Sequence, residues 1–428
     1  HAELGDRPAI VEMTDGRPTV TFAELDRLVS TTAAGLVASG VQPGDRVALM
    51  IPPGIDLAAV LYACWRAGAV VVLVDSGLGP RGMSAAMRVA DPVFLVGIPK
   101  AIAAARVLRW PGRRISTAEL PELRRRHAGL PAHPRVDDPA AVVFTSGATG
   151  PSKGVRYSHG QLAAQRDALL RLYDITPDDR LVAAFAPFAL YGPAMGITSV
   201  VPDMDVAAPA TLTAAALGDA VAAIDATLVF ASPAALRNVV ATADGLSALH
   251  RTAFAGVRTL MSAGAPVRPS LLRAARDLFP NSTAHTPYGM TECLPVASIE
   301  LAEIEALAGR PDAGDGVCVG RPADAVDVAV RGLDELGRPA GEPCAEPGVV
   351  GEVLVRAAHM RTGYERLWRT EHLASTSAGW HATGDVGHLD DDGRLWIGGR
   401  LGHVITTAAG PVTPVRYELE IEAIDGVE

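Results

Sequence analysis

RVALMIPPGIDLAAVLYACWRAGAVVVLVD, residues 46–75, reads as one complete β-α-β unit. Its ends, 46–51 and 69–75, are short apolar runs of strand length, and the stretch 56–66 between them has the apolar spacing of a helix. Two such strands joined through a helix imply a parallel sheet covered by helices. The same alternation continues on both sides. Upstream, TFAE at 21–24 is a capping box, and Leu25, Leu28, Val29 and Leu36 form one stripe until Gly40 ends the helix. Downstream, 141–144 is a strand feeding a glycine-rich loop. Ser158 and Gln161 form a second capping box, with Leu162, Leu169, Leu170 and Tyr173 on one helical face. A strand at 226–230 leads to Ser232-Pro233, which starts another helix, and a strand at 257–261 precedes a helix at 271–278.

From residue 314 the texture becomes short strands and turns, at 326–330, 351–356 and 393–397. The expected class is therefore α/β: a large N-terminal body of parallel-rich sheets with flanking helices, plus a small β-rich subdomain. The expected division is 1–313, 314–399 and 400–428. The last part is read as a hinge and the start of a C-terminal lid domain that is largely absent, since a new element opens at 417–424.

Composition excludes several classes. The chain has 428 residues, 49% hydrophobic and 20% charged, which is enough for a large core. The 43 glycines and 32 prolines follow no repeat, so they belong to loops. No apolar run is long enough for a membrane span, and the first residues lack the charged leader and apolar stretch of a signal peptide. Four cysteines lie far apart without a CxxC pair, which fits a reduced cytoplasmic protein rather than a disulfide framework or zinc ribbon. A net charge of −10 argues against nucleic acid as a partner. The one basic cluster, 124–127, follows Glu119 and Glu122 and is read as a solvated face or mobile loop. His381, His388 and His403 lack ligand spacing, so no structural metal is expected.

FTSGATGPSKG, residues 144–154, carries the most chemistry. Glycines let backbone N–H groups approach phosphate oxygens, hydroxyls donate, and Lys153 supplies charge. It is not a Walker A loop: Ser152 replaces the second glycine and Gly154 stands where Ser or Thr belongs. An ordinary Ser/Gly/Thr turn is the alternative. In TPYGMTE, 286–292, a tyrosine can stack on a base, a threonine can donate to phosphate, and a glutamate can hold magnesium. A helix N-cap at Thr291 is the plainer alternative. TGD at 383–385 and GGR at 398–400 place a carboxylate suited to two ribose hydroxyls and an arginine suited to ribose or phosphate oxygens.

In this order, these motifs resemble the adenylate-forming superfamily of acyl-CoA synthetases, luciferases and peptide-synthetase adenylation domains. The resemblance runs from about Pro8 to Glu428. It takes in RAGA at 66–69 before the strand ending at Asp75, SAGAP at 262–266, GEVLV at 351–355 and Gly363-Tyr364. It implies an ATP-dependent enzyme that uses Mg²⁺. Thr145, Ser146, Gly147, Thr149, Gly150 and Lys153 would hold the ATP phosphates, with Ala263, Gly264 and Ala265 lining the nucleotide. Tyr288, followed by Gly289, would stack on adenine. Thr291 would touch the α-phosphate, Glu292 would bind Mg²⁺, and Asp385 and Arg400 would take the ribose. Lys153, Thr291 and Glu292 are the expected catalytic residues. There are departures too: Leu190 stands where many relatives carry histidine, and Gly402 where the hinge often has Asp or Lys.

FALYGPAMG at 188–196, VPDMD at 201–205, YGMTECLPV at 288–296 and Gly410-Pro411 resemble the β-lactone synthetases of bacterial olefin biosynthesis. That resemblance implies a small-molecule carboxylic acid substrate, a long-chain β-hydroxy acid, and partner enzymes of an olefin pathway. The acyl pocket would lie near Phe188, Leu190, Tyr191, Met195 and Met261, residues that equally suit plain core. An acyl-CoA synthetase or fatty-acyl-AMP ligase is the enzymatic alternative. An inactive nucleotide-binding relative is the other, and the presence of Lys153, Glu292, Asp385 and Arg400 together argues against it.

Overall fold

The computed structural model describes residues 4–14, 16–145, 153–184, 191–308, 316–376, 379–408, 410–422 and 424. The chain forms two compact units. The first is His1–Thr283 with Arg361–Leu367; the second is Ala284–Met360 with Trp368–Glu428.

The quoted stretch folds as read, into Arg46–Met50, the helix Ile55–Arg66, and Val70–Val74, with the two strands parallel. They sit in a sheet of order Gly363–Tyr364, Lys153–Ser158, Pro139–Thr145, Val70–Val74, Arg46–Met50, Phe94–Gly97, Arg113–Ser116. The last five are mutually parallel, and Lys153–Ser158 runs antiparallel to its neighbours on both sides. Near-continuous apolar sequence is what a strand buried on both faces requires: Val47, Ala48, Val71 and Val72 are fully buried. The helix Ile55–Arg66 starts where Ile55 N–H donates to Glu12 Oε1 at 2.8 Å, a carboxylate at the positive end of the helix dipole.

Both capping boxes form. Thr21 and Glu24 open the helix Phe22–Ala38, and Ser158 and Gln161 open His159–Leu172. The first unit's other sheet runs Thr259–Ser262, Leu228–Ala231, Arg180–Ala184, Thr198–Val201, Pro8–Glu12, Thr19–Thr21. It is parallel except for its last pair. One ion pair anchors it. Arg258 donates to both oxygens of the buried Asp179, at 2.9 and 2.7 Å.

The basic cluster is only in part a solvated face. Arg124 donates from Nε to Thr32 Oγ1 at 3.0 Å and from Nη2 to Asp56 Oδ1 at 3.1 Å, tying the short helix Leu120–Leu123 to two others. Arg125, paired with the exposed Glu122, is solvated as expected.

The second unit is antiparallel throughout its main sheet, in the order Val326–Gly332, Gly351–Ala357, His381–Leu389, Leu395–Arg400, Val317–Pro322, Cys293–Glu300, Thr283–Met290. A two-stranded ribbon, Ile405–Thr407 with Gly410–Val412, and the helix Val415–Glu422 follow. Ile299, Leu307, Cys318 and Trp396 form a small core beneath that sheet.

Candidate active site

The second unit assembles three of the expected nucleotide residues. Asp385 and Arg400 are register partners on neighbouring antiparallel strands, so their side chains share a face at short range. Arg400 Nε lies 3.1 Å from Asp385 Oδ1, and the Tyr288 hydroxyl donates to Asp385 Oδ2 at 2.5 Å. Thr383 fixes the backbone beneath, donating to the Val353 carbonyl at 2.9 Å and accepting from Asp385 N–H at 3.0 Å. Asp385 is 7% exposed. Burial pushes its carboxyl above the ordinary carboxylate range; Tyr288 and Arg400 pull back, and the charge of Glu292 adds to the rise. Burial, and then the neighbouring Asp385, raise the Tyr288 phenol well above its usual value. The rise at the phenol keeps the proton on Tyr288.

Thr291 and Glu292 are not at a helix N-cap. They form the two-residue turn between Thr283–Met290 and Cys293–Glu300, closed by the Met290–Cys293 pair. The turn follows Gly289, where a Cβ would come within 2.7 Å of Leu294 Cδ1 and 3.0 Å of the Cys293 carbonyl. The field of Glu292 reaches Asp385. A carboxylate oxygen is the donor type that a hard divalent cation selects.

In the first unit Lys153 is paired with Thr145 across the hairpin that brackets residues 146–152. Ser146, Gly147, Thr149 and Gly150 lie outside the described residues, as does the Thr145 side chain. Lys153 Nζ sits 5.5 Å from the ring centroid of Tyr364, and Arg361 Cζ sits 4.0 Å from the same centroid. Two cations on one buried aromatic ring gain from its quadrupole. Tyr364 reaches this place because Gly363–Tyr364 adds an edge strand to Lys153–Ser158. Beside it Glu365, buried, pairs with Arg46 at 3.0 Å. Gly154 permits this approach: a Cβ there would meet the Phe144 ring at 2.7 Å and Glu365 Cβ at 2.9 Å. Arg361 was not singled out by sequence, since nothing local marks it.

Ala263, Gly264 and Ala265 follow the carboxyl end of the parallel strand Thr259–Ser262. This is where ligands gather in open parallel sheets. Gly264 has a φ of +98°, a left-handed turn suited to glycine. Of the expected acyl pocket, Phe188 and Leu190 lie outside the described residues. Tyr191 and Met195 share one short helix, and Met261 is buried opposite Phe230. The Tyr191 hydroxyl donates to Gln165 Oε1, and Ala194 N–H donates to the Tyr62 oxygen. Gln165 and Tyr62 carried no sequence signal, because their partners are remote in the chain.

A model of the AMP-binding enzyme family matches residues 1–365. The chain is 36% identical to the olefin beta-lactone synthetase of Xanthomonas campestris pv. campestris, across 96% of this chain and 76% of that protein. It is 31% identical to a feruloyl-CoA synthase from an Amycolatopsis species, across 98% of this chain and 82% of that one. In fold it resembles the o-succinylbenzoate coenzyme A synthetase of Bacillus subtilis. The crystal with AMP gives a TM-score of 0.81 at 22% identity, covering 100% of this chain and 83% of that one. The crystal with ATP and magnesium ion gives 0.78 at 21%, covering 97% and 81%. The chain belongs to the AMP-binding enzyme family, the adenylate-forming superfamily, and is an AMP-forming ligase.

Proposed function

We propose that this protein uses Mg·ATP to adenylate a long-chain 2-alkyl-3-hydroxy acid, which then closes to a β-lactone with release of AMP. A carboxylate oxygen attacks the α-phosphorus and pyrophosphate leaves. The 3-hydroxyl oxygen then attacks the acyl carbon, the bond to the AMP oxygen breaks, and the hydroxyl proton passes to solvent. No thiol acceptor is needed, because the second nucleophile is tethered to the first electrophile at high effective molarity. The observation that carries this reading is the 36% identity to an olefin beta-lactone synthetase along almost the whole chain.

In this reading Lys153 and the loop from Thr145 to Gly150 neutralise the phosphates, and Thr291 holds the α-phosphate. Glu292 would hold Mg²⁺, which supplies further neutralisation of phosphate charge. Tyr288 stacks on adenine while Asp385 and Arg400 take the ribose, and Ala263–Ala265 line the nucleotide. Phe188, Leu190, Tyr191, Met195 and Met261 line the acyl site. Positioning and charge neutralisation carry most of the rate, as expected for attack at phosphorus. A cytoplasmic setting and olefin-pathway partner enzymes accompany the proposal. Free cysteines at 64, 293, 318 and 344 suit a reducing compartment, and no described helix is long and apolar enough to cross a membrane.

The 31% identity to a feruloyl-CoA synthase favours a second reading, transfer of the acyl group to coenzyme A. The experiment incubates the natural protein with Mg·ATP and the hydroxy acid, with and without coenzyme A, and identifies products by NMR. β-Lactone and AMP in both samples support the first reading. A thioester formed only with coenzyme A overturns it in favour of the second.

A further inference from the structure

Asp385 is clamped on both oxygens by the protein itself: Arg400 Nε on Oδ1 and the Tyr288 hydroxyl on Oδ2. An ionised carboxylate offers about four acceptor positions. The Tyr288 hydroxyl takes one of them on Oδ2, and the Arg400 guanidinium stands 3.1 Å from Oδ1 as an ion-pair partner, so acceptor positions remain on both oxygens. The plane of a carboxylate is otherwise soft, since rotation about its terminal bond has a broad, two-fold profile. A hydroxyl bound to one oxygen and a guanidinium charge beside the other restrict that freedom. The backbone under the side chain is held as well, by Thr383 Oγ1 between Asp385 N–H and the Val353 carbonyl.

A vicinal diol presents two O–H donors at a fixed separation. It gains from a carboxylate only when both free lone pairs point outward in one plane. We propose that the hydroxyl of Tyr288, as distinct from its ring, is a positioning group: it locks the plane of Asp385 so that both oxygens can accept from the ribose 2′- and 3′-hydroxyls together. This rests on the reading that Asp385 binds the ribose. Tyr288 thus has two separable duties, the ring toward the base and the oxygen toward the sugar. The burial that holds the phenol protonated keeps it a donor.

The test is calorimetric binding of Mg·ATP, 2′-deoxyATP and 3′-deoxyATP to the protein and to Tyr288→Phe, Tyr288→Leu, Asp385→Asn and the Tyr288→Phe/Asp385→Asn pair. Urea midpoints check that each variant folds. Tyr288→Phe keeps the ring, so its ATP Kd rises about tenfold, or about 1.4 kcal/mol. The two deoxy analogues, with only one donor each, shift less than about threefold. Tyr288→Leu, which also loses the ring, weakens all three nucleotides alike. In the Asp385→Asn background Tyr288→Phe adds nothing, because the hydroxyl acts through that carboxylate. An equal loss for ATP and both deoxy analogues in Tyr288→Phe overturns the proposal. So does tighter ATP binding, which would mean that the hydroxyl competes with the ribose. If Asp385→Asn leaves the ATP Kd unchanged, the ribose assignment itself fails, and that result is distinct from the other two.

Discussion

Asp390→Asn tests how the Asp385–Arg400 pair is held in register. Asp390 sits in the turn joining His381–Leu389 to Leu395–Arg400 and is 8% exposed. Its Oδ2 accepts from Arg394 Nε at 2.7 Å and Trp396 Nε1 at 3.0 Å. Its Oδ1 accepts from the N–H groups of Asp392 and Arg394 at 3.0 and 2.8 Å. Burial opposes ionisation, yet the hydrogen bonds from Trp396 and Arg394 bring the carboxyl down to about 2 from 3.8. At about 1.4 kcal/mol per unit, that gap is worth about 2 kcal/mol. The folded value lies below the unfolded one. The contribution is therefore complete above pH 3.8 and disappears as pH falls through 2.

An asparagine amide presents one acceptor oxygen, so two of the four donors lose their partner and the buried Arg394 loses one counter-charge. Breaking a buried pair from one side costs about 3–5 kcal/mol. Asp392 and Glu303 remain near Arg394, so a loss of about 3 kcal/mol at pH 7 is expected. Urea unfolding of the protein and the variant from pH 7 downward measures it, with the slope checked for constancy. The difference holds between pH 7 and 5 and narrows by about 2 kcal/mol below 3.8. A difference under about 1 kcal/mol at pH 7 would refute the reasoning, and so would one that narrows already between pH 7 and 5.

Four further outcomes are expected. Lys153→Ala lowers kcat/KM for ATP by about 10²–10³ in a pyrophosphate-exchange assay, as removal of a charge-stabilising donor does. Glu292→Ala raises the Mg²⁺ concentration needed for half-maximal exchange while leaving the urea midpoint unchanged. Asp385→Asn leaves the thermal midpoint unchanged or higher at pH 7, where the raised carboxyl makes ionisation a cost to folding; its ATP Kd, by calorimetry, rises at least tenfold. Gly387→Ala destabilises by more than 2 kcal/mol in urea and weakens ATP binding. Its Cβ would lie 2.1 Å from the Trp396 carbonyl oxygen, between the strands that carry Asp385 and Arg400.

The sequence made local physics legible and left long-range pairing hidden. Thr21 with Glu24 and Ser158 with Gln161 announce helix starts because both partners of each capping box lie within one turn. The apolar runs at Arg46–Met50 and Val70–Val74 announce buried parallel strands for a similar reason. Thr291-Glu292 reads equally as a helix cap or a turn, because Thr and Glu are common at caps and the hairpin lacks an Asn-Gly signal. The role of Arg124 depends on Thr32 and Asp56, and the clamp on Asp385 depends on Tyr288, all far away in sequence. No local pattern encodes such pairings. The candidate nucleotide residues stand as a set only because short motifs in a fixed order resemble one superfamily.

The return of Arg361–Leu367 to the first unit bears on the order in which this protein can be completed. The chain passes from one unit to the other at 283/284, at 360/361 and at 367/368. No single cut yields two whole halves. During synthesis the strand carrying Lys153 keeps one open edge, with peptide groups unsatisfied, until Gly363 and Tyr364 have left the ribosome. That edge is thus sealed late, after residues 284–360 of the second unit have been made. A nascent or clipped chain that stops short of residue 361 exposes that edge to other chains, and the cell meets it as an aggregation hazard before it meets it as an enzyme.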